Sequence, residues 1–242
     1  MRYGIFGDIH SNLEALEAVI KAYQKEHIDK YLCAGDVVGY ATNPKECIDK
    51  VKTLAMITVA GNHDWGSVDL FSADYFNPNA KEAISWTKRN LGEQDKYFLE
   101  SLKLVYKNED LTLVHGTLDN PQDFNYMTDG YIAEETFRVL ETNICFVGHS
   151  HAAGIFIKDK DDNLYYLEEQ YIDIKDANKY IVNVGSVGQP RDGNPQGAYC
   201  IFDSDKKGVR IERISYDIKT ARKKIIKAGL PKFLGDRLVI GQ

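Results

Sequence analysis

The stretch Arg2-Tyr3-Gly4-Ile5-Phe6-Gly7-Asp8-Ile9-His10 decides how the rest of the chain is read. A short, mostly apolar run ends at Gly7-Asp8, the pattern of a buried strand feeding a loop. Directly behind it, Leu13, Leu16, Val19, Ile20 and Tyr23 recur at helical spacing, with Glu14, Glu17 and Lys21 on the other face. Ser11 or Asn12 is placed to cap that helix. The same strand–loop–helix grammar then repeats. Tyr31 to Ala34 ends at Gly35-Asp36, and Pro44 opens a helix through about Val51. Met56 to Ala60 ends at Gly61-Asn62, Leu111 to Val114 at His115-Gly116, and Ile144 to Val147 at Gly148-His149. Lys81 to Asn90, Glu93 to Leu102 and Glu134 to Leu140 read as helices.

After His151 the texture changes. Gly154 to Lys158, Leu164 to Glu168, Tyr180 to Val184, Ala198 to Phe202 and Val209 to Ile214 read as strands, with Asp159 to Asn163 as a hairpin turn. A last helix spans about Ile218 to Ala228. No repeat or Ser/Gly linker divides the chain. The expectation is one α/β domain of layered sheets over 1–242, in which 1–151 is the α/β part and 152–242 a mostly β part that closes it.

The 242 residues can bury a core without staples. A net charge of −6 argues against a sequence-independent nucleic-acid coat, yet leaves room for a phosphate substrate if metal ions reverse the sign locally. Cys33, Cys47, Cys145 and Cys200 form no C-x-x-C pair, so reduced thiols and a cytoplasmic location are expected. No apolar run approaches a membrane span, and Asp8 comes too early for a signal peptide.

Five strand ends in this reading carry groups that bind metal or move protons: Asp8-x-His10, Asp36, Asn62-His63, His115 and His149-x-His151. Five of the six histidines fall there; His27 does not. Taken singly, each such Asp is more simply a turn former and each His a packed residue. Taken together they are the carboxyl ends of strands in an α/β sheet, where ligands collect. If the backbone is extended there, Asp8 with His10, and His149 with His151, point to the same side. Two carboxylates, an amide and four imidazoles, without thiolate, suit manganese, iron, cobalt, nickel or zinc. Seven ligands suit two ions sharing a bridge.

Gly7-Asp8-Ile9-His10, Gly35-Asp36, Gly61-Asn62-His63-Asp64, His115-Gly116 and Gly148-His149-Ser150-His151 resemble, in order, the signature blocks of the calcineurin-like metallophosphoesterase superfamily. Asn183 to Arg191 is similar to a block of its small bacterial and archaeal phosphodiesterase branch. The resemblance implies a four-layer α-β-β-α sandwich. It also implies that Asp8, His10 and His151 hold one divalent ion, that Asn62, His115 and His149 hold a second, and that Asp36 bridges them. His63 would sit over the substrate as proton donor or transition-state stabiliser, tuned by Asp64. A water shared by the ions, acidified to a pKa on the order of 7, would attack phosphorus directly.

One departure matters. The Ser/Thr protein phosphatases and the symmetrical diadenosine tetraphosphate hydrolases carry an Arg-Gly pair shortly after the bridging Asp. Here the stretch is Gly35-Asp36-Val37-Val38-Gly39-Tyr40-Ala41-Thr42-Asn43, with no Arg. Arg191 is the substitute candidate for phosphate recognition, and Tyr40 and Asn43 are candidates for the pocket wall. A phosphodiesterase acting on a small molecule or nucleotide is the first reading, with nucleic acid only as substrate and no membrane. A protein or dinucleoside-polyphosphate phosphatase is the alternative within the superfamily. A non-catalytic scaffold on the same fold is the rival from outside enzymology, and complete ligand positions argue against it. Phe71, Tyr75, Phe76, Phe124 and Tyr126 lie in two loops able to stack on a base, with plain packing the simpler role.

Overall fold

The computed structural model describes residues 1–54 and 57–242. In chain order the strands are β1 (Arg2–Phe6), β2 (Lys30–Cys33), β3 (Ile57–Thr58), β4 (Val105–Lys107), β5 (Thr112–Val114), β6 (Ile144–Val147), β7 (Gly154–Lys158), β8 (Leu164–Leu167), β9 (Tyr171–Asp173), β10 (Lys179–Asn183), β11 (Gly197–Asp203) and β12 (Gly208–Ile214). The helices are α1 (Leu13–Tyr23), α2 (Pro44–Thr53), α3 (Asn62–Gly66), α4 (Pro78–Asn90), α5 (Glu93–Glu100), α6 (Gly130–Val139), α7 (Ile218–Lys227) and α8 (Lys232–Asp236). Single 3-10 turns lie at Ala73–Tyr75, Pro121–Asp123 and Arg237–Val239. The third strand was expected to begin at Met56, which lies outside the described residues.

Two six-stranded mixed sheets stack face to face. One runs β3-β2-β1-β11-β12-β9, the other β4-β5-β6-β10-β7-β8. In the first, β1, β2 and β3 are parallel, and β11 joins β1 antiparallel with Ile5 opposite Cys200. In the second, β5, β6 and β10 are parallel, with Phe146 opposite Val182. Strands from 152–242 therefore sit inside both sheets rather than forming a unit of their own.

The layering follows from side-chain alternation. Along β6, Ile144 and Phe146 join the core between the sheets, while Cys145 and Val147 pack under α6. Along β1, Tyr3 and Ile5 point into the inter-sheet core and Phe6 points toward α1 and α2. Strands covered on both faces need apolar residues at consecutive positions, which is why they read as unbroken runs. The result is the expected four-layer sandwich. All four cysteines are buried and free, and no helix among the described residues is long and apolar enough to cross a membrane.

Asn12 caps α1: its Oδ1 accepts the Ala15 N–H at 3.2 Å. α4 and α6 start earlier than their apolar periodicity suggests, because Asn77 and Asp129 accept the first free N–H groups. β4 and β9 were not anticipated. Each is three residues long, too short for alternation to register. A fourth apolar cluster gathers Tyr40 and Phe76 with α4, α7 and α8, through Ile84, Ile225, Leu234 and Leu238. It carries the 230s to the rim of the site described next.

Candidate metal centre

The turns after β1, β2, β5 and β6, and the first turn of α3, meet at one end of the sandwich. Asp8, His10, Asp36, His115, His149 and His151 are each at most 3% exposed, so none is a casual surface residue. Their backbones are not extended. Asp8, His10, Asp36, His149 and His151 all lie in the left-handed region, with φ between 50° and 66°. Tight left-handed turns, rather than the strand alternation expected from the sequence, aim these side chains. Strain of this kind, about 1–3 kcal/mol per residue, persists where surrounding structure enforces it. Part of the enforcement is backbone crowding. A Cβ on Gly61 would lie 2.0 Å from Asp36 Oδ1, so only glycine lets α3 approach that carboxylate.

Two groups of donor atoms result, and they share Asp36. Asp8, His10, Asp36 and His151 offer atoms within 4.8 Å of one another, as do Asp36, His115 and His149. Asp36 Oδ2 lies 3.4 Å from both His10 Nε2 and His115 Nε2. Asp8 Oδ1 lies 3.2 Å from His151 Nε2. Asn62 Oδ1, at 3.3 Å from His115 Nε2, completes the second group.

Three imidazoles are oriented by backbone carbonyls. His10 Nδ1 faces Val38 O at 3.2 Å, His115 Nδ1 faces Ala34 O at 2.7 Å, and His151 Nδ1 faces Gln189 O at 2.6 Å. A carbonyl only accepts, so each Nδ1 carries the proton and Nε2 is the inward atom. His10 Nε2 and His151 Nε2 then face each other at 3.0 Å. Burial pushes the pKa of both rings below the usual value, His10 well below, so two lone pairs converge with no proton between them. A cation resolves that. Nitrogens at right angles about an ion with bonds of about 2.1 Å sit about 3.0 Å apart. Asp8 Oδ1 and His149 Nε2, one in each group, are buried without any hydrogen-bond partner, and a cation in each group would satisfy them. The donor set fits two divalent ions.

The electrostatics agree. Burial alone would raise the Asp36 carboxyl, but His115, His63 and His10 outweigh it and hold Asp36 well below its usual range. Burial opposes charge on His115, yet Asp36 wins and lifts it to about 9. Metal binding there must displace a proton. Burial, then the charge of His115, pushes His149 well down.

The remaining expected residues fall in different places. His63 follows Asn62 on α3. Its backbone N–H donates to Asp36 Oδ1 at 2.9 Å, and its ring packs against Tyr40 and His10, with centroids 4.4 and 4.8 Å away. Its Nδ1 is buried and unpartnered. Burial and Arg191 bring its pKa down to about 4, so the ring is neutral at pH 7. Asp64 does not face His63: Oδ1 accepts Val38 N–H and Oδ2 accepts Gly61 N–H, each at 3.1 Å. Its carboxyl ties the loop after Asp36 to the start of α3. Tyr40 borders the centre, but Asn43 does not. The Asn43 amide instead donates to the Glu46 carboxylate and accepts from the Lys224 ammonium. Arg191 lies against Tyr40, its Nη2 3.3 Å from the phenol oxygen.

The model of the calcineurin-like phosphoesterase superfamily domain matches residues 1–207. The chain belongs to that superfamily. An uncharacterized protein of Methanocaldococcus jannaschii is 40% identical over 242 residues, covering 98% of this chain and 97% of the relative. The structure of a metallophosphoesterase from Sphaerobacter thermophilus aligns with TM-score 0.88 and 36% identity, covering 100% and 99% of the two chains. A hypothetical protein of Pyrococcus horikoshii shares the fold at TM-score 0.81 and 20% identity, covering 100% and 98%.

For a metallophosphoesterase-family chain, the supporting residues are as informative as the donors. Asn183 Nδ2 donates to Gly148 O and Ser150 Oγ, both at 2.9 Å, and Ser186 Oγ donates to Asp8 O at 2.8 Å. The block 183–191 thus braces the turns that carry Asp8 and His149. Tyr126 stacks on His149, centroids 3.8 Å apart and planes 16° apart. With Phe71, Tyr75, Phe76 and Phe124 it lines a cavity of about 200 Å³ that opens beside Asn62, His63 and His149. The two aromatic loops therefore do wall the site. Arg237, near Arg191 and Tyr40, was missed, since nothing in the last fifty residues forms a motif.

Proposed function

We propose that this protein is a dinuclear-metal phosphoesterase, with a phosphodiester as its preferred substrate. The observation that carries the reading is the pair of buried donor clusters sharing Asp36. Asp8, His10 and His151 would hold one ion, Asn62, His115 and His149 the other, with Asp36 common to both. Two divalent cations, when bound, supply positive charge to the phosphoryl oxygens and acidify a water that attacks phosphorus. Manganese, iron, cobalt, nickel and zinc all match the donors.

The chain's own groups do the rest. The His63 ring, neutral and with an unpartnered Nδ1, is positioned to donate a hydrogen bond to the phosphoryl group or leaving oxygen. Negative charge arriving with substrate raises the pKa of the imidazole and favours its proton-donor form. Tyr40 and the aromatic side chains line a single cavity beside the donors, with Arg191 against Tyr40, so the organic group of an ester finds room there. Aromatic walls beside the donors suit a phosphate that carries organic groups, which favours a diester over a monoester. Burial of the cysteines as free thiols suits a reducing compartment such as the cytoplasm.

The test is turnover of bis-p-nitrophenyl phosphate and p-nitrophenyl phosphate by metal-analysed protein. Chelation should abolish activity, manganese or nickel should restore it, and the diester should be favoured. Fully metal-loaded protein that cleaves neither compound would establish the scaffold reading instead.

A further inference from the structure

Eight arginines occur in the chain, and most have an obvious partner. Arg2, Arg138, Arg210, Arg213 and Arg222 each pair with an acidic side chain. Arg89 is exposed to water. Arg191 and Arg237 are different: both are partly buried, and among the described residues neither has an Asp or Glu within 4.0 Å.

The arrangement keeps them unpaired. Each has an aspartate next to it in sequence, and each aspartate turns to another cation. Asp192 pairs with Arg213, and Asp236 accepts Arg222 Nη2 at 2.7 Å and Nε at 2.9 Å. Arg191 is left with neutral partners, the Tyr40 hydroxyl at 3.3 Å and Gln189 Oε1 at 3.0 Å, and its Nε is buried with none. Arg237 lies over the Phe233 ring at 5.2 Å and gives its Nε to the backbone oxygen of Gln242. The two segments are clasped together: Gly193 N–H donates to Gly241 O at 2.9 Å. Burial, then the charge of Arg191, lowers Arg237 to about 10, so the two cations feel each other. Tyr40 joins them to the centre, its ring 4.6 Å from that of His10. In an acidic protein, two half-buried guanidiniums near each other, neither paired with an acidic side chain, favour an anion from elsewhere.

We propose that Arg191 and Arg237, beside Tyr40, form a second anion subsite next to the metal centre, which takes a further phosphoryl group of the substrate. The substrate class is then a phosphate ester bearing a second phosphate close to the one attacked. This rests on the phosphoesterase reading for the site beside it, but the subsite itself is a binding property and is tested without turnover.

The probes are inorganic pyrophosphate and orthophosphate, titrated calorimetrically into manganese-loaded full-length protein. The wild type should bind pyrophosphate more tightly, and Arg237→Gln should cut the pyrophosphate-to-orthophosphate affinity ratio about tenfold, equivalent to about 1.4 kcal/mol. Arg237→Lys keeps the charge and loses the fork, so it should cut the ratio about threefold, roughly 0.6 kcal/mol. It is decisive where circular dichroism shows the Gln variant unfolded. A folded Arg237→Gln or, in its place, Arg237→Lys with the wild-type ratio overturns the proposal. An inactive protein whose pyrophosphate preference depends on Arg237 sinks the esterase reading and keeps the subsite. An active protein with an unaltered ratio does the reverse.

Discussion

At the scale of single residues, the account turns on which groups hold metal and which act beside it. His63 is the sharpest case, because it sits one residue from Asn62 yet its ring points at Tyr40 and His10 rather than joining the donor atoms. His63→Ala should keep two ions per chain and lose roughly 10²–10⁴-fold in rate, read by metal analysis and kinetics on one preparation. Metal content falling in step with rate would make His63 a ligand. Asp36→Asn should instead lower metal content itself, since Oδ2 is the atom common to both groups; unchanged stoichiometry would refute the shared carboxylate. The donors were legible in sequence because they are chemically distinctive and sit after apolar runs. Arg237 was not, because its meaning depends on where Asp236 turns, and no local pattern encodes that. Asp64 misled for the same reason: adjacency to His63 says nothing about a carboxyl that bonds backwards to Val38 and Gly61.

At the scale of elements, long strands and amphipathic helices were readable and short ones were not. β1 and β6 announce themselves through apolar residues on both faces, whereas β4 and β9 offer three residues each. The turns between elements carry the functional geometry, and their left-handed φ values at Asp8, His10 and His149 cannot be read from residue type. The approach of α3 to β2's loop gives a direct test. Gly61→Ala places a Cβ against Asp36 Oδ1, so it should move that carboxylate and reduce metal affinity at both positions. Isothermal titration with manganese checks this, and a wild-type affinity would show that the contact is slack. Asn12→Ala should destabilise the protein by about 0.5–2 kcal/mol in denaturant unfolding, through loss of the α1 cap.

At the scale of the whole molecule, two sheets bury one apolar core and leave their metal-binding turns at one end, which ties stability to protonation. In the metal-free chain, burial lowers His10, His63, His149 and His151, His63 to about 4. Below pH 6.5 the unfolded chain takes up protons that these native rings refuse, so stability falls with acidification, through to about pH 4 for His63. Asp64, raised to about 7 by burial and Asp36, pulls the other way between its usual range and 7. His115, raised to about 9, adds stability that is full below pH 6.5 and is lost as pH rises through 9, so it too favours the acid side. Four rings outnumber Asp64 and His115, so chelated protein should melt at lower temperature at pH 5 than at pH 7; equal melting temperatures would contradict the buried neutral histidines. The central claim is tested most directly by anomalous diffraction from crystals grown with manganese. Two peaks should flank Asp36 Oδ2, about 3.5–4 Å apart, one against Asp8, His10 and His151 and the other against Asn62, His115 and His149. A single peak, or manganese bound only elsewhere on the protein, would contradict the account.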